Sequence, residues 1–435
     1  MLIKPKANNL PPMSSTSSDD TLATEAGIQT YLRNTPFASH TVDLLSGGYI
    51  NFTYRIHLHV PVDGMSTFIL KYAPPYAASL TNLSILAPDR QVFIHISRIC
   101  VKYGAHTGIL QRFEAEALRL ANIIPKPDDD NTVTVPTLRF LDQESHVMII
   151  DDAGSDTRTL REVLIDETLP RHLLEEIGTK LGRFLAHIHG WNERPDVDLN
   201  LFANNEARKM VSTYLVYSQI ISTLTGEDRL PHLVNPALEI PKEKLETVSK
   251  LVETRTKEIH SSTASDVMTH GDYWPGNILV SLRRGTESAI VALDRLYVLD
   301  WELAMTSLPG SDLGQYCAEL YIIARFLPHR EESAKTIISS FLSAYRQSRA
   351  IDSATARVAL GHIGGYMVTW VPRDVGNREQ IRELVLEGVE LLDLSWTGPE
   401  SSLVNSIVGP LLSGKCGDSL QQNTGQLTDG HGDMC

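Results

Sequence analysis

The fold of this chain is indicated by one stretch, His270-Gly271-Asp272-Tyr273-Trp274-Pro275-Gly276-Asn277, which the apolar run Ile278-Leu279-Val280 follows. A second acidic stretch, Val298-Leu299-Asp300-Trp301-Glu302, comes shortly after it. An Asp on a tight loop can orient and deprotonate a hydroxyl group, and a following Asn and a further Asp at a strand end supply the oxygen ligands that Mg²⁺ prefers. The two stretches therefore indicate the chemistry of phosphoryl transfer.

The spacing His-x-Asp-x-x-x-x-Asn resembles the catalytic loop of protein kinases, in which Arg follows the His. Gly271 in that place, and Asp-Trp-Glu where protein kinases have Asp-Phe-Gly, resemble the aminoglycoside phosphotransferase and choline kinase family. The resemblance implies that Asp272 is the catalytic base, that Asn277 and Asp300 bind Mg²⁺, and that Glu302 contributes near the metal. Gly271 also removes the usual anchor of a phosphorylated activation loop, so activation by loop phosphorylation is not expected.

Two further motifs are similar to the nucleotide site of that family. Gly47-Gly48, with Asn51 after it, resembles the hairpin that covers the nucleotide, where glycine allows backbone amides to approach phosphates closely. The stretch Met148–Gly154 resembles the hinge whose backbone holds adenine, which makes Ile150 a nucleotide-binding candidate. The resemblance therefore implies that ATP binds between these motifs.

Lys71 lies where kinases have the lysine that binds the α- and β-phosphates and pairs with a glutamate on a helix. The predicted helix over Arg112–Asn122 offers Glu114 and Glu116. Because residues two positions apart on a helix point about 200° apart, only one of them can face Lys71. The spacing typical of the family, an Arg followed four residues later by the Glu, favours Glu116.

The periodicity of the chain changes near residue 151. Short β-rich runs with turns such as Asp63-Gly64 come before it, and 3.6-residue apolar stripes such as Leu173–His189 come after it. We therefore predict an α+β fold of two lobes, which the resemblance identifies as the protein-kinase-like fold. A small β-rich N-lobe over residues 21–150 would bind the nucleotide. A mostly helical C-lobe over residues 151–411 would carry catalysis and acceptor binding. The polar segments 1–20 and 412–435 are predicted to be disordered tails.

Residues 92–111 interrupt the predicted N-lobe. Without them, Ala87–Gln91 would run directly into Arg112-Phe113-Glu114 as one helix. The segment is either an artefact of the gene model, such as a translated intron, or a genuine loop that covers the substrate. We predict that it is absent from the active transcript or else forms a disordered excursion.

Four residues near these motifs are expected to be structural. His187 and His189 have no metal-ligand company in the sequence, and Asp312 is expected to cap the helix after the second acidic stretch. Trp370 ends a helical stripe, so we expect it in the core rather than in a substrate platform.

Composition limits the choice of partners. The 435 residues include 39 basic and 53 acidic side chains, for a formal net charge of −14. This balance argues against a nucleic-acid partner and is compatible with a cationic substrate.

The apolar runs are far shorter than the roughly 20 residues of a membrane helix. The four cysteines are too scattered for a disulfide framework, so a cytoplasmic protein is expected. The oligomeric state stays open.

The function favoured by the sequence is transfer of the γ-phosphate of ATP, with Mg²⁺, to a hydroxyl group of a small, amine-bearing molecule. Within the family the chain is most similar to fungal small-molecule kinases, so a hydroxytryptamine-type kinase of secondary metabolism is one alternative. An impaired pseudokinase that only binds nucleotide is another, and the joint presence of Lys71, Asp272, Asn277 and Asp300 argues against it. A protein kinase is disfavoured by Gly271 and by the lack of an Ala-Pro-Glu segment.

Overall fold

The computed structural model describes residues 19–45, 51–74, 107–126, 131–286, 289–373 and 376–413. In these residues a sheet-rich amino-terminal region is followed by a larger helical region, which confirms the predicted α+β class. Gly47, Gly48 and most of the segment 92–111 lie outside the described residues, as do most of the predicted tails. Order extends slightly into both predicted tails, because a 3₁₀ turn spans Asp19–Ala23 and Leu412 is buried.

The amino-terminal sheet is antiparallel and has the strand order β1-β2-β3-β6-β5. Its strands are β1 (Ser39–Leu44), β2 (Phe52–Val62), β3 (Met65–Tyr72), β5 (Leu138–Asp142) and β6 (Val147–Asp151). The hairpin between β2 and β3 turns at Asp63 and Gly64, whose φ values are 50° and 80°. These residue types are favoured in tight hairpin turns because they tolerate positive φ. Helix α1 (Glu25–Leu32) packs its buried Ile28 and Leu32 against one face of the sheet.

Helix α2 (Thr107–Ile123) begins five residues before the predicted start at Arg112. Leu110 and Gln111 are only 1% and 2% exposed, and the Gln111 side chain donates a hydrogen bond to the backbone oxygen of Lys71 over 3.1 Å. Residues 107–111 are therefore part of the fold. For them the prediction that residues 92–111 form a disordered excursion is wrong.

Two small sheets interrupt the helical region. One has the order β4-β10-β9-β7 and the other pairs β11 with β8. The strands are β4 (Val133–Thr134), β7 (Arg158–Thr159), β8 (Val267–Thr269), β9 (Ile278–Arg284), β10 (Ile290–Val298) and β11 (Met305–Ser307). Both motifs of the sequence lie at strand ends, because 270–277 connects β8 to β9 and 299–304 connects β10 to β11. The sheets thereby bring the two motifs together.

The remaining helices form the bulk of the carboxy-terminal region and enclose a continuous apolar core. They are α3 (Leu160–Asp166), α4 (Arg171–His189), α5 (Asn200–Ala203), α6 (Glu206–Thr213), α7 (Ile220–Thr225), α8 (Pro231–Val234), α9 (Lys242–His260), α10 (Pro309–Phe326), α11 (Glu331–Ser348), α12 (Ser353–Thr369), α13 (Arg378–Thr397) and α14 (Glu400–Val404). Helix α10 packs between α11 and α12. Within the described part of the chain, we find no helix with the length and apolar character needed to cross a bilayer.

Candidate active site

The loop 270–277 makes a sharp turn at Gly271, whose φ is +82°. A Cβ atom at this position would lie 2.2 Å from the backbone oxygen of Leu303. A side chain would therefore clash with the second motif loop as well as strain the backbone. Glycine at this place in the His-Gly-Asp motif thus has a packing reason.

Asp312 holds the loop 270–277 in place through hydrogen bonds to its backbone. Its carboxylate accepts hydrogen bonds from the backbone N–H groups of His270 (2.7 Å) and Gly271 (2.9 Å) and contacts Nε2 of His189 at 3.1 Å. Burial alone would raise the pKa of Asp312, but the hydrogen bond and charge of His189 lower it. The expectation that Asp312 caps a helix is wrong, because α10 begins at Pro309 and Asp312 lies buried in its first turn.

Asp272 is half-buried and both of its carboxylate oxygens accept hydrogen bonds. Gln315 donates to Oδ1 over 2.6 Å, and the side-chain amide of Asn277 donates to Oδ2 over 2.8 Å. Burial, assisted by the negative charge of Asp300, raises the pKa of Asp272 to about 6. A carboxylate with a pKa near the working pH, whose orientation is fixed by two donors, is well suited to accept a proton from an alcohol.

Asn277 lies at the end of the same loop, in a 3₁₀ turn over Pro275–Asn277. Its side-chain nitrogen donates to the backbone oxygen and to Oδ2 of Asp272, at 3.0 Å and 2.8 Å. The amide is therefore oriented with its nitrogen toward Asp272, and its oxygen is the atom that can bind a cation. Its backbone oxygen accepts a hydrogen bond from the N–H of Leu299 at 2.9 Å, which ties the two motif loops together.

Lys71 reaches the second motif from β3. Its Nζ contacts Oε1 of Glu114 at 2.7 Å and Oδ1 of Asp300 at 2.8 Å. Burial alone would lower the pKa of Lys71, but the charges of Asp300 and Glu114 raise it above its ordinary value. Lys71 is therefore a charged lysine held between two carboxylates.

The predicted pairing of Lys71 with Glu116 is wrong. Glu114 is 1% exposed and makes the contact, whereas Glu116 contacts Arg119 at 2.6 Å and its side chain is 30% exposed. The buried face of α2 also carries Phe113 and Ala117, so the apolar packing of the helix turns Glu114 toward Lys71 and Glu116 away. The alternative that the sequence left open is the one observed.

Asp300, in the middle of the second motif, adopts a left-handed backbone conformation with a φ of +64°. Asp tolerates this conformation better than most residues, and such backbone strain is often found at functional positions. Side-chain oxygens of Glu114, Asp300 and Glu302 lie within 4.8 Å of one another. This set of hard oxygen donors fits a divalent cation such as Mg²⁺.

Glu302 is buried and accepts a 2.8 Å hydrogen bond from the side-chain nitrogen of Asn51. Burial, together with the negative charge of Asp300, raises the pKa of Glu302 well above its ordinary value. Asn51 thus connects the segment before β2 to the second motif. Each of the two acidic residues has one oxygen in a contact, but Glu302 is 6% exposed whereas the Asp300 side chain is 36% exposed, which makes Asp300 the more accessible of the two to a metal ion.

Arg208 and Gln315 are functional candidates that the sequence reading missed. Arg208, on α6, donates hydrogen bonds to the backbone oxygens of Leu303 and Gly271 and so bridges the two motif loops. Gln315 follows Asp312 by one turn of α10. Its position in the helix that follows the second motif is the one signal that could have pointed to it.

One large cavity, of about 1070 Å³, is lined by side chains of both motif loops and by Lys71, Arg208 and Gln315. One end of the cavity is lined by Lys71, Asp300 and Ile150, and Ile150 is buried in β6 where the hinge was predicted. Its other end lies between α10 and α12 and includes Trp370, which is partly buried and packs against the apolar core as expected while also lining the cavity. Asp272 lines the same cavity. A nucleotide and a second, smaller molecule could therefore occupy it together.

Comparisons with known proteins bear directly on this arrangement. The model of the phosphotransferase enzyme family APH matches residues 152–350. The 4-hydroxytryptamine kinases of Psilocybe cubensis and Psilocybe cyanescens are 29% and 26% identical to the chain, and each match covers 85% of this chain and 92% of the relative. A choline/ethanolamine kinase family protein of Mesorhizobium loti is 13% identical with a TM-score of 0.44, over 89% of this chain and 98% of that one.

The family match and the two Psilocybe relatives confirm the resemblance to the aminoglycoside phosphotransferase family that the motifs indicated. The family match includes both motif loops and most of the helical region. By the family match and the kinases among its relatives, the chain is a small-molecule phosphotransferase.

Proposed function

We propose that the chain transfers the γ-phosphate of ATP to a hydroxyl group of a small, amine-bearing acceptor. The observation that carries the proposal is the meeting of Asp272 with the Lys71–Asp300 pair on one cavity. Phosphoryl transfer depends mainly on positioning and on charge stabilisation, and these groups supply both.

At the nucleotide end, Lys71 would bind the α- and β-phosphates while Glu114 fixes its position. Ile150 would contact the adenine. Asp300 and the oxygen of Asn277 would hold Mg²⁺, with Glu302 next to them. The metal, when bound, neutralises the phosphate charge that develops during transfer. We further propose that residues 21–150 form the nucleotide lobe and 151–411 the catalytic lobe.

At the acceptor end, Asp272 would hydrogen-bond to the attacking hydroxyl and accept its proton. The acceptor oxygen then forms a bond to the γ-phosphorus as the bond from that phosphorus to the bridging oxygen of ADP breaks. Gln315 keeps Oδ1 of Asp272 in place, and Asn277 does the same for Oδ2. Because both donors act through Asp272, we expect them to be positioning residues.

An aromatic hydroxyamine is the specific candidate for the acceptor, since both Psilocybe relatives are named for 4-hydroxytryptamine. The formal net charge of −14 is compatible with attraction of a cationic amine. An enzyme that consumes ATP in this way would work in the cytosol, and we propose that location.

The test is ATP consumption by purified protein with a panel of amines, sugars and hydroxyindoles. We expect Mg²⁺-dependent ADP release that requires a hydroxylated acceptor, together with a phosphorylated product. Asp272→Asn is the matched control and should retain ATP binding. Nucleotide binding without turnover for every acceptor would instead support the pseudokinase alternative.

A further inference from the structure

Three histidine side chains come together on the amino-terminal sheet, outside the cavity of the candidate active site. The ring of His40, on β1, has its centroid 6.1 Å from that of His57 and 5.6 Å from that of His59, both on β2. His40 and His59 are exposed, and His57 is partly buried. None of the three lines the cavity, and the proposed reaction uses none of them.

The geometry of the two strands explains why these rings meet. His57 and His59 are two positions apart on β2, so they lie on one face of the sheet. Leu58 between them is buried in the apolar core on the opposite face. The pairing of β1 with β2 shifts its register at His40, and such an irregularity can re-aim a side chain relative to the regular alternation. His40 is thereby placed next to the pair on the neighbouring strand.

Two of the rings have one nitrogen engaged by a neighbouring oxygen. Nε2 of His57 contacts Oδ2 of Asp43 at 2.8 Å, and Nδ1 of His40 contacts Oγ1 of Thr41 at 2.9 Å. Within the described chain, the other nitrogen of each ring is not engaged by a hydrogen bond. A histidine that binds a metal through one nitrogen usually has the other nitrogen bonded to a carboxylate or another oxygen, which fixes the orientation of the ring.

The spacing of the rings is close to that of imidazoles on one metal ion. Zn²⁺ binds histidine nitrogen at about 2.0–2.1 Å, with tetrahedral angles, so the centroids of two such rings lie about 5.2 Å apart. The centroid distances from His40 to His57 and to His59 exceed this value by less than about 1 Å. Small side-chain rotations would therefore bring the three rings onto one cation, with a water molecule as the fourth ligand.

The ligand type separates this cluster from the candidate Mg²⁺ site. Imidazole nitrogen suits Zn²⁺ and the similar cations Ni²⁺ and Cu²⁺, whereas Mg²⁺ prefers hard oxygen ligands. The carboxylates of Glu114, Asp300 and Glu302 offer oxygen atoms only. The two sets of residues are therefore expected to select different cations.

We propose that His40, His57 and His59 form a second metal site, which binds Zn²⁺, and that Asp43 orients His57 within it. This site goes beyond the proposed function and does not depend on the reaction. One cation would join β1 to β2. Because the ligands come from two strands, the folded chain would bind the cation more tightly than the unfolded chain does, and binding would stabilise the fold.

The test is calorimetric titration of Zn²⁺ into the full chain, purified without a polyhistidine tag and with excess Mg²⁺ present to occupy the oxygen site. We expect saturable binding, and a melting temperature that rises by about 3 °C or more at saturating Zn²⁺. His40→Ala removes a ligand and should weaken Zn²⁺ binding at least about tenfold. Asp43→Asn should weaken it about tenfold, because it removes only the carboxylate that orients His57.

The matched control is His329→Ala, which removes an exposed histidine from the carboxy-terminal region and should leave both the Zn²⁺ affinity and the thermal shift unchanged. If His40→Ala melts earlier than the wild type without metal, the exposed His59 provides the second variant, His59→Ala, with the same expected loss. The proposal is overturned if the wild type does not bind Zn²⁺, or if the affinity survives in both variants. An equal loss in His329→Ala would also overturn it, because it would indicate adventitious binding to surface histidines.

Discussion

Replacement of Glu114 by Gln removes one of the two carboxylates that hold Lys71, and its effect can be worked out from the geometry. Breaking a buried ion pair costs about 3–5 kcal/mol. Nζ of Lys71 keeps its 2.8 Å contact with Asp300, and Gln can still accept a hydrogen bond, so we expect a smaller cost. A loss of about 2 kcal/mol of transition-state stabilisation, because Lys71 is held less firmly in place, would lower kcat/KM for ATP roughly 30-fold.

Glu116→Gln is the natural comparison, because the same substitution is made two residues away on the same helix. Among the described residues Glu116 is paired with Arg119, an exposed i,i+3 partner, and such pairs contribute about 0.2–0.5 kcal/mol. We therefore expect less than a threefold change. The assay is steady-state ATP turnover at a saturating concentration of an accepted substrate, with thermal unfolding measured to verify that both variants fold. The reasoning fails if Glu116→Gln loses as much activity as Glu114→Gln, or if Glu114→Gln stays within threefold of the wild type.

Three other outcomes are expected. Asp272→Ala should lower kcat by about 10²–10⁴-fold with ATP affinity nearly intact. Single-turnover kinetics and a nucleotide-binding assay would check this, and activity within a few-fold of the wild type would contradict the role of Asp272 as the base. Asp300→Ala should raise the Mg²⁺ requirement more than Asn277→Ala, because it removes a formal charge, and an unchanged metal titration would exclude Asp300 from the site. Deleting residues 92–111 should lower the melting temperature, because Leu110 and Gln111 are buried in α2; an equal or higher melting temperature would mean that those contacts contribute nothing.

The predictable part of this site is the part that depends on local sequence. Asp272 and Asn277 are five residues apart on one loop, so their spacing alone brought them together. The sequence offered both Glu114 and Glu116 but favoured the wrong one, because the choice depends on which face of the helix is buried, and that depends on packing between α2 and the second motif. Arg208 was missed for a related reason. It is far in sequence from Gly271 and Leu303, and only the tertiary structure brings the three residues together.

Helix α10 has a consequence for how such an enzyme could change its substrate. The carboxylate of Asp312 accepts hydrogen bonds from the backbone of the catalytic loop, and Gln315 of the same helix donates a hydrogen bond to Asp272. Glu319, one turn further along, lines the acceptor end of the cavity. Because the rise of a helix per residue is regular, α10 fixes the distance between Gln315, which contacts Asp272, and Glu319, which lines the acceptor end of the cavity. Point substitutions at and beyond Glu319 could therefore reshape the list of acceptors while the base stays aligned. A single inserted residue between Gln315 and Glu319 would turn the two by about 100° relative to each other and uncouple them.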